Sequence, residues 1–255
     1  MMRRSLVLAF VPIFAVSSVA LAATGTKTPK VTLVQAVSRT DKAQSLRYVL
    51  DISVARRAHP ATELRVKGVQ SRGSLFVHVK ELAAVLADGT AVPGPQQSAL
   101  LDGPFLYEGS PNGVAIDGKI RWLRVPVARI GSKASAITAM RNLSPAPLLR
   151  VLDEWSKAKT RAPKGVFHGT VAYDDRIVQT ALSGLGGGVQ FRDVWFTARV
   201  GADGYVHTIR VSGRTADGVR KLSVYVRLSA FGQPVHLTPP GEGTFMDQKT
   251  LTLAE

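Results

Sequence analysis

Apolar and polar residues alternate strictly in the last third of this 255-residue chain. Val194, Phe196, Ala198 and Val200 recur at every second position. Tyr205, His207, Ile209 and Val211 follow after a turn. Leu222, Val224, Val226 and Leu228 then share one face, with Lys221, Ser223, Tyr225 and Arg227 on the other. Successive side chains of a strand point to opposite faces, so this pattern predicts antiparallel strands with one apolar side. Leu46, Tyr48, Leu50, Ile52 and Val54 repeat it near the start. Weaker strand signals cover 63–70 after a turn at Pro60, 75–79 running into 82–86, 96–101, 105–108, 114–116, 120–127 and 166–173.

Five Asp-Gly dipeptides, at 88–89, 102–103, 117–118, 203–204 and 217–218, separate these segments. Both residues tolerate the positive φ of tight hairpin turns, so the dipeptides predict a meandering sheet in two sets. Three segments have a helical period instead. Val31, Val34, Ala36 and Val37 predict a short helix over 31–43. Residues 132–143 can form a second. Ser144 as cap and Pro145 as first helical residue open a third, carrying Leu148, Leu149, Val151, Leu152 and Trp155. Residues 174–185 read as a further helix or turn, and 184–188 as a glycine-rich loop without phosphate-cradle spacing. Phe231–Val235 is expected to bend into a last short strand, with 241–255 a loose tail.

The ends and the composition narrow the setting. Met1-Met2-Arg3-Arg4, the apolar stretch 6–21 and Ala20-Leu21-Ala22 read as an export signal covering 1–22. A lead-in over 23–30, one domain over 31–240 and the tail complete the expected organisation. The chain has no cysteine, which excludes disulfides, thiolate metal sites, cysteine nucleophiles and a lipid-modified N-terminal cysteine. Net charge is +15, and +13 without Arg3 and Arg4. Such a domain outside the cytoplasm favours anionic headgroups and wall polymers, and no stripe of interleaved aromatic and basic residues suggests nucleic acid.

Catalytic patterns are sparse. Ser156-x-x-Lys159 matches an acyl-enzyme spacing but sits at a polar helix end without partner motifs. His59, His78, His168, His207 and His236 show no metal-ligand spacing. Asp153-Glu154 and Asp174-Asp175 are adjacent pairs whose members point apart, so neither is an automatic acid/base couple. A wall-polymer hydrolase would need carboxylates assembled in three dimensions. No enzyme, metal or cofactor is expected.

Four motifs occur in an order that resembles the LppX/LprG/LprA/LprF group of actinobacterial envelope proteins, and more broadly the LolA-like lipoprotein carriers. They are Asp117-Gly118-Lys119-x-Arg121-Trp122, His168-Gly169-Thr170-x-x-Tyr173, Asp203-Gly204-Tyr205, and Phe231-Gly232-x-Pro234-Val235 followed by Pro239-Pro240. The likeness covers roughly residues 31 to 240. It implies an α+β fold: a large curved antiparallel half-barrel with helices on its concave face. It also implies an apolar cavity for the acyl chains of a lipid or lipoprotein, in a carrier rather than an enzyme. The absent lipidation cysteine near position 23 departs from the lipoproteins of that group. The expected lining is Val194, Phe196, Ala198, Leu222, Val224, Val226, Leu228, Leu148 and Leu152. Arg121, Lys157 and Arg161 are candidates for an anionic headgroup. The alternative is an extracytoplasmic sensing or protein-interaction module of the MucB type, which resembles the same fold.

Overall fold

Thr32 opens the first element through a reciprocal cap. Its hydroxyl accepts from the Gln35 amide at 3.2 Å, and Gln35 Oε1 accepts from the Thr32 amide at 3.0 Å. Helix α1 (Leu33–Asp41) follows and buries Leu33, Ala36, Val37 and Thr40. The computed structural model describes residues 32–56, 59–85, 91–92, 94–115, 118–130, 135–156, 165–171, 191–215 and 218–247. The expected export signal, the basic loop with Lys157 and Arg161, the segment 174–188 and Asp88-Gly89 lie outside them.

The alternating segments become β1 (Ser45–Arg56), β2 (His59–Ser71), β3 (Ser74–Val85), β4 (Ala91–Val92), β5 (Gln96–Asp102), β6 (Phe105–Gly109) and β7 (Trp122–Pro126). Helices α2 (Ser135–Asn142) and α3 (Ala146–Ser156) intervene. The second set is β8 (Val166–Val171), β9 (Phe191–Val200), β10 (Val206–Thr215) and β11 (Arg220–Ser229), and β12 (Phe245–Asp247) comes last. Across the sheet the order is β12-β7-β6-β5-β3-β2-β1-β11-β10-β9-β8, with β4 beside β3. Each meander is built from sequence neighbours. The two join where β1 pairs with β11, from Arg47↔Ser229 to Arg56↔Arg220. The result is the expected architecture: one large, curved, unclosed, mostly antiparallel sheet with few helices.

The turns behave as Asp-Gly predicts at Gly103, Gly204 and Gly218, whose φ values are 51°, 78° and 68°. Thr40 ties α1 to the sheet: its hydroxyl donates to the Ala36 carbonyl at 2.7 Å and accepts from the Val206 amide at 2.9 Å. A buried hydroxyl paired on both sides carries no desolvation penalty.

Five expectations need correction. Pro60 lies within β2, because Arg56 pairs with His59 and the reversal falls before it. Residues 114–115 form no strand, and β6 pairs directly with β7 from Gly109↔Trp122 to Phe105↔Pro126. Gly118 therefore turns within that connection rather than between two strands. In β10 a bulge between Val206 and Thr208 turns both Val206 and Ile209 to the buried side, breaking the Tyr205–His207–Ile209 alternation. Residues 233–240 are irregular rather than a final strand. The tail instead supplies β12, which pairs in parallel with β7, Phe245↔Trp122 to Asp247↔Arg124. Arg124 holds it by two bonds to the Asp247 carboxylate, at 2.6 and 2.9 Å, with its guanidinium 4.3 Å from the Phe245 ring centre.

Candidate functional site on the inner face of the sheet

Register puts the apolar residues of neighbouring strands into rows that run across seven or eight strands of the sheet. One row runs Phe167, Ala198, Ile209, Val226, Leu50, Val66, Val79 and Gln97. Another runs Leu228, Tyr48, Gly68, Val77, Ala99, Glu108 and Leu123. Both lie on the face against which the helices pack, here the inner face.

All nine residues expected as lining are brought together on this face or under it. Val194, Phe196, Ala198, Leu222, Val224, Val226 and Leu228 stand on β9 and β11, while Leu148 and Leu152 project from α3. Each is at most 3% exposed, in one cluster with Leu33, Ala36 and Val37 of α1 and Ile137 and Met140 of α2. Over this half of the sheet the helices make a filled core. Sequence reasoning missed the other half. Leu64 on β2, Val79 on β3, and Ala99 and Leu101 on β5 belong to the same face but are only partly buried, interspersed with Leu75, Val77 and Leu106, which are at most 7% exposed. Val127, Ile130 and Leu143 are likewise partly buried against the core cluster. The signal existed in the alternation of 96–101, but nothing in the sequence said which strands the helices would leave part-covered.

Tyr48 and Glu108 interrupt the second row. Tyr48 is 2% exposed, and its hydroxyl has no hydrogen-bond partner among the described residues. Burial alone pushes the phenol far above its ordinary value. The ring lies over Gly68: a Cβ there would stand 1.9 Å from Tyr48 Cζ. Further along the row, burial raises the Glu108 carboxyl above its ordinary value of 4.5. The folded state therefore keeps its proton to higher pH than the unfolded chain. Stability accordingly falls as pH rises from 4.5 through the folded value. Glu108→Gln preserves the shape and removes the charge. Its urea midpoint is expected to exceed the parent's at pH 7 and to match it near pH 4. Parallel profiles for the two proteins would exclude a buried carboxyl.

Arg121, the headgroup candidate that can be placed, does not join the inner face. It is exposed, beside a cleft of about 270 Å³ whose other walls include His78, Gln96, Ser98, Asn112 and Trp122. His78, Ser98, Gly109 and Trp122 form a row on the opposite, outer face. His78 Nδ1 is 2.8 Å from Ser98 Oγ. Among the described residues no hydrogen bond reaches the other ring nitrogen, so the orienting group of a nucleophile–base pair is missing. Among the described residues there is also no cluster of three metal-ligating side chains. What the inner face can do is bury apolar chain.

No family model matches the sequence, and no curated protein matches it significantly. Among solved structures, a LolA superfamily protein from Nitrosomonas europaea aligns over 82% of this chain and 96% of its own, with 11% identity and a TM-score of 0.28. A putative outer membrane lipoprotein-sorting protein domain from Vibrio parahaemolyticus aligns over 80% and 94%, with 7% identity and a TM-score of 0.26. A DUF1329 family protein from Desulfovibrio piger aligns over 81% and 92%, with 11% identity and a TM-score of 0.22. The fold described above rests on the strand pairing itself.

Proposed function

We propose that this protein is an exported, non-catalytic carrier that holds the acyl chain of a lipid or lipoprotein against the part-covered half of its inner face. One observation carries the reading: the apolar rows continue from the sealed half, where Val66 is 0% exposed, onto Leu64, Val79, Ala99 and Leu101, which are only partly buried. An apolar face left near water gains from any alkyl chain laid on it, at up to about 0.8 kcal/mol per methylene. The N-terminal export pattern and a motif order that resembles the LppX/LprG group support the same reading. The sequence has no cysteine to carry a thioether-linked lipid.

Native mass spectrometry and organic extraction of the purified protein test for a resident lipid. Titration with fluorescent fatty acids of increasing length is expected to show affinity rising up to roughly fourfold per added methylene until the face is filled. Ala99→Trp fills the part-covered half and is expected to weaken uptake at least about tenfold, with the unfolding midpoint little changed. Absence of both resident lipid and probe uptake would sink the proposal.

A further inference from the structure

We propose that the outer face of β8–β11 is a docking surface for an anionic lipid bilayer. These four strands carry seven lysines and arginines, six of them at outer-face positions and Arg220 at an inner-face one, with a single carboxylate, Asp193. Arg199, Arg210, Arg214, Lys221 and Arg227 are all exposed. Arg192, Arg214 and Lys221 occupy directly opposing positions on three adjacent strands. Like charges placed opposite one another destabilise a sheet, so the fold alone gives no reason to gather them. Elsewhere on the outer face a cation is neutralised: Arg65 Nε is 2.6 Å from Asp51 Oδ1. On β8–β11 the pair of His207 with Asp203 is the one ion pair among the described residues, and no lysine or arginine takes part in it.

The aromatic residues of the face select a membrane over a soluble polyanion. Trp195 is 43% exposed, on the same face of β9 as Arg199. An indole has an apolar body and one donor, the chemistry of the headgroup boundary. Tyr225 lies between Arg210 and Arg227, whose guanidiniums are 5.3 and 5.9 Å from its ring centre. Among the described residues no helix is long and apolar enough to cross a bilayer, and docking on this face needs none.

The test is co-sedimentation of the full chain with phosphatidylglycerol/phosphatidylcholine vesicles and with phosphatidylcholine alone, at low and high salt. Binding is expected only with the anionic vesicles and is expected to weaken as salt rises. Each cation removed is expected to weaken partitioning about fivefold, so Arg214→Gln with Lys221→Gln costs roughly 25-fold. The tryptophan emission shift on binding is expected to vanish in Trp195→Phe, while Trp122 and Trp155 remain. Equal binding to neutral vesicles, no binding to anionic vesicles at low salt, or full binding by the doubly substituted variant would each overturn the proposal. So would equally tight binding of soluble polyphosphate with vesicle binding indifferent to Trp195→Ser, which would make the partner a polymer. The surface is independent of the acyl site: Ala99→Trp is expected to bind vesicles like the parent while failing to take up fatty acid.

Discussion

Gly68→Ala is expected to lower the unfolding free energy by about 3 kcal/mol, read as a shift in urea midpoint at constant slope. A glycine inside a strand ordinarily costs stability, and alanine there would regain roughly 0.5–1 kcal/mol. Geometry reverses the sign. A Cβ at Gly68 would lie 1.9 Å from Tyr48 Cζ, 2.2 Å from its hydroxyl oxygen and 2.3 Å from Cε1. The ring is 2% exposed and part of the main core cluster, so it has no solvent to swing into. Tyr48→Ala alone leaves a cavity and is expected to cost about 3–5 kcal/mol, as aromatic-to-alanine changes in cores do. Combined with Gly68→Ala it should cost no more than it does alone, because the new methyl occupies space the ring has left. That non-additivity of a few kcal/mol is the signature of the contact. Tyr48→Phe removes only the unpaired hydroxyl and is expected to be neutral or stabilising, whereas Gly68→Ala remains costly in the phenylalanine background. Additive losses in the cycle would show that Tyr48 does not lie over Gly68.

How far the fold could be read in the sequence depended on how many residues shared a signal. Leu222, Val224, Val226 and Leu228 announce a strand because four side chains repeat one period, and the structure buries all four. Gly204 and Gly218 announce turns because positive φ restricts residue choice, and both adopt it. The three-residue β12 has no room for a period. It exists because Arg124 meets Asp247 and Phe245, partners more than 100 positions away. The bulge in β10 was hidden for a related reason: one extra residue between Val206 and Thr208 shifts phase, and alternation read from either end alone looks regular. Gly68 carried a readable hint, since glycine inside a strand often marks close approach by another group. The approaching group, Tyr48, could be named only from the β1–β2 register.

The candidate site divides along the same line. Seven of the nine expected lining residues form one apolar sheet face and two stand on the helix that covers it, and the structure places all nine in one core cluster. Which half of a continuous face stays part-covered depends on helix placement, and periodicity does not encode that. Arg121 was expected, as a basic residue, at the mouth of an apolar cavity. It instead precedes β7 and stands exposed at the cleft it lines with His78, Ser98 and Trp122.

Leu152→Ala separates the two halves by experiment. Leu152 is 0% exposed on α3, beside Leu148, Leu149 and Val151, which are at most 2% exposed. Truncation there loses the transfer energy of the side chain and leaves a cavity, with an expected cost of about 3–5 kcal/mol in urea unfolding. Leu101→Ala on the part-covered half removes the same atoms from a site already near water and is expected to cost less than about 2 kcal/mol. Probe binding should respond in the opposite order. If acyl chains lie on β2, β3 and β5, Leu101→Ala weakens uptake, and Leu152→Ala leaves affinity unchanged under conditions where the variant is folded. If they lie under α3 instead, the cavity made by Leu152→Ala tightens uptake and Ala99→Trp fails to block it. The stability loss and the affinity change therefore answer different questions. A variant that loses several kcal/mol without changing fatty-acid affinity marks the sealed half as structural core and the part-covered half as the place where ligand is held.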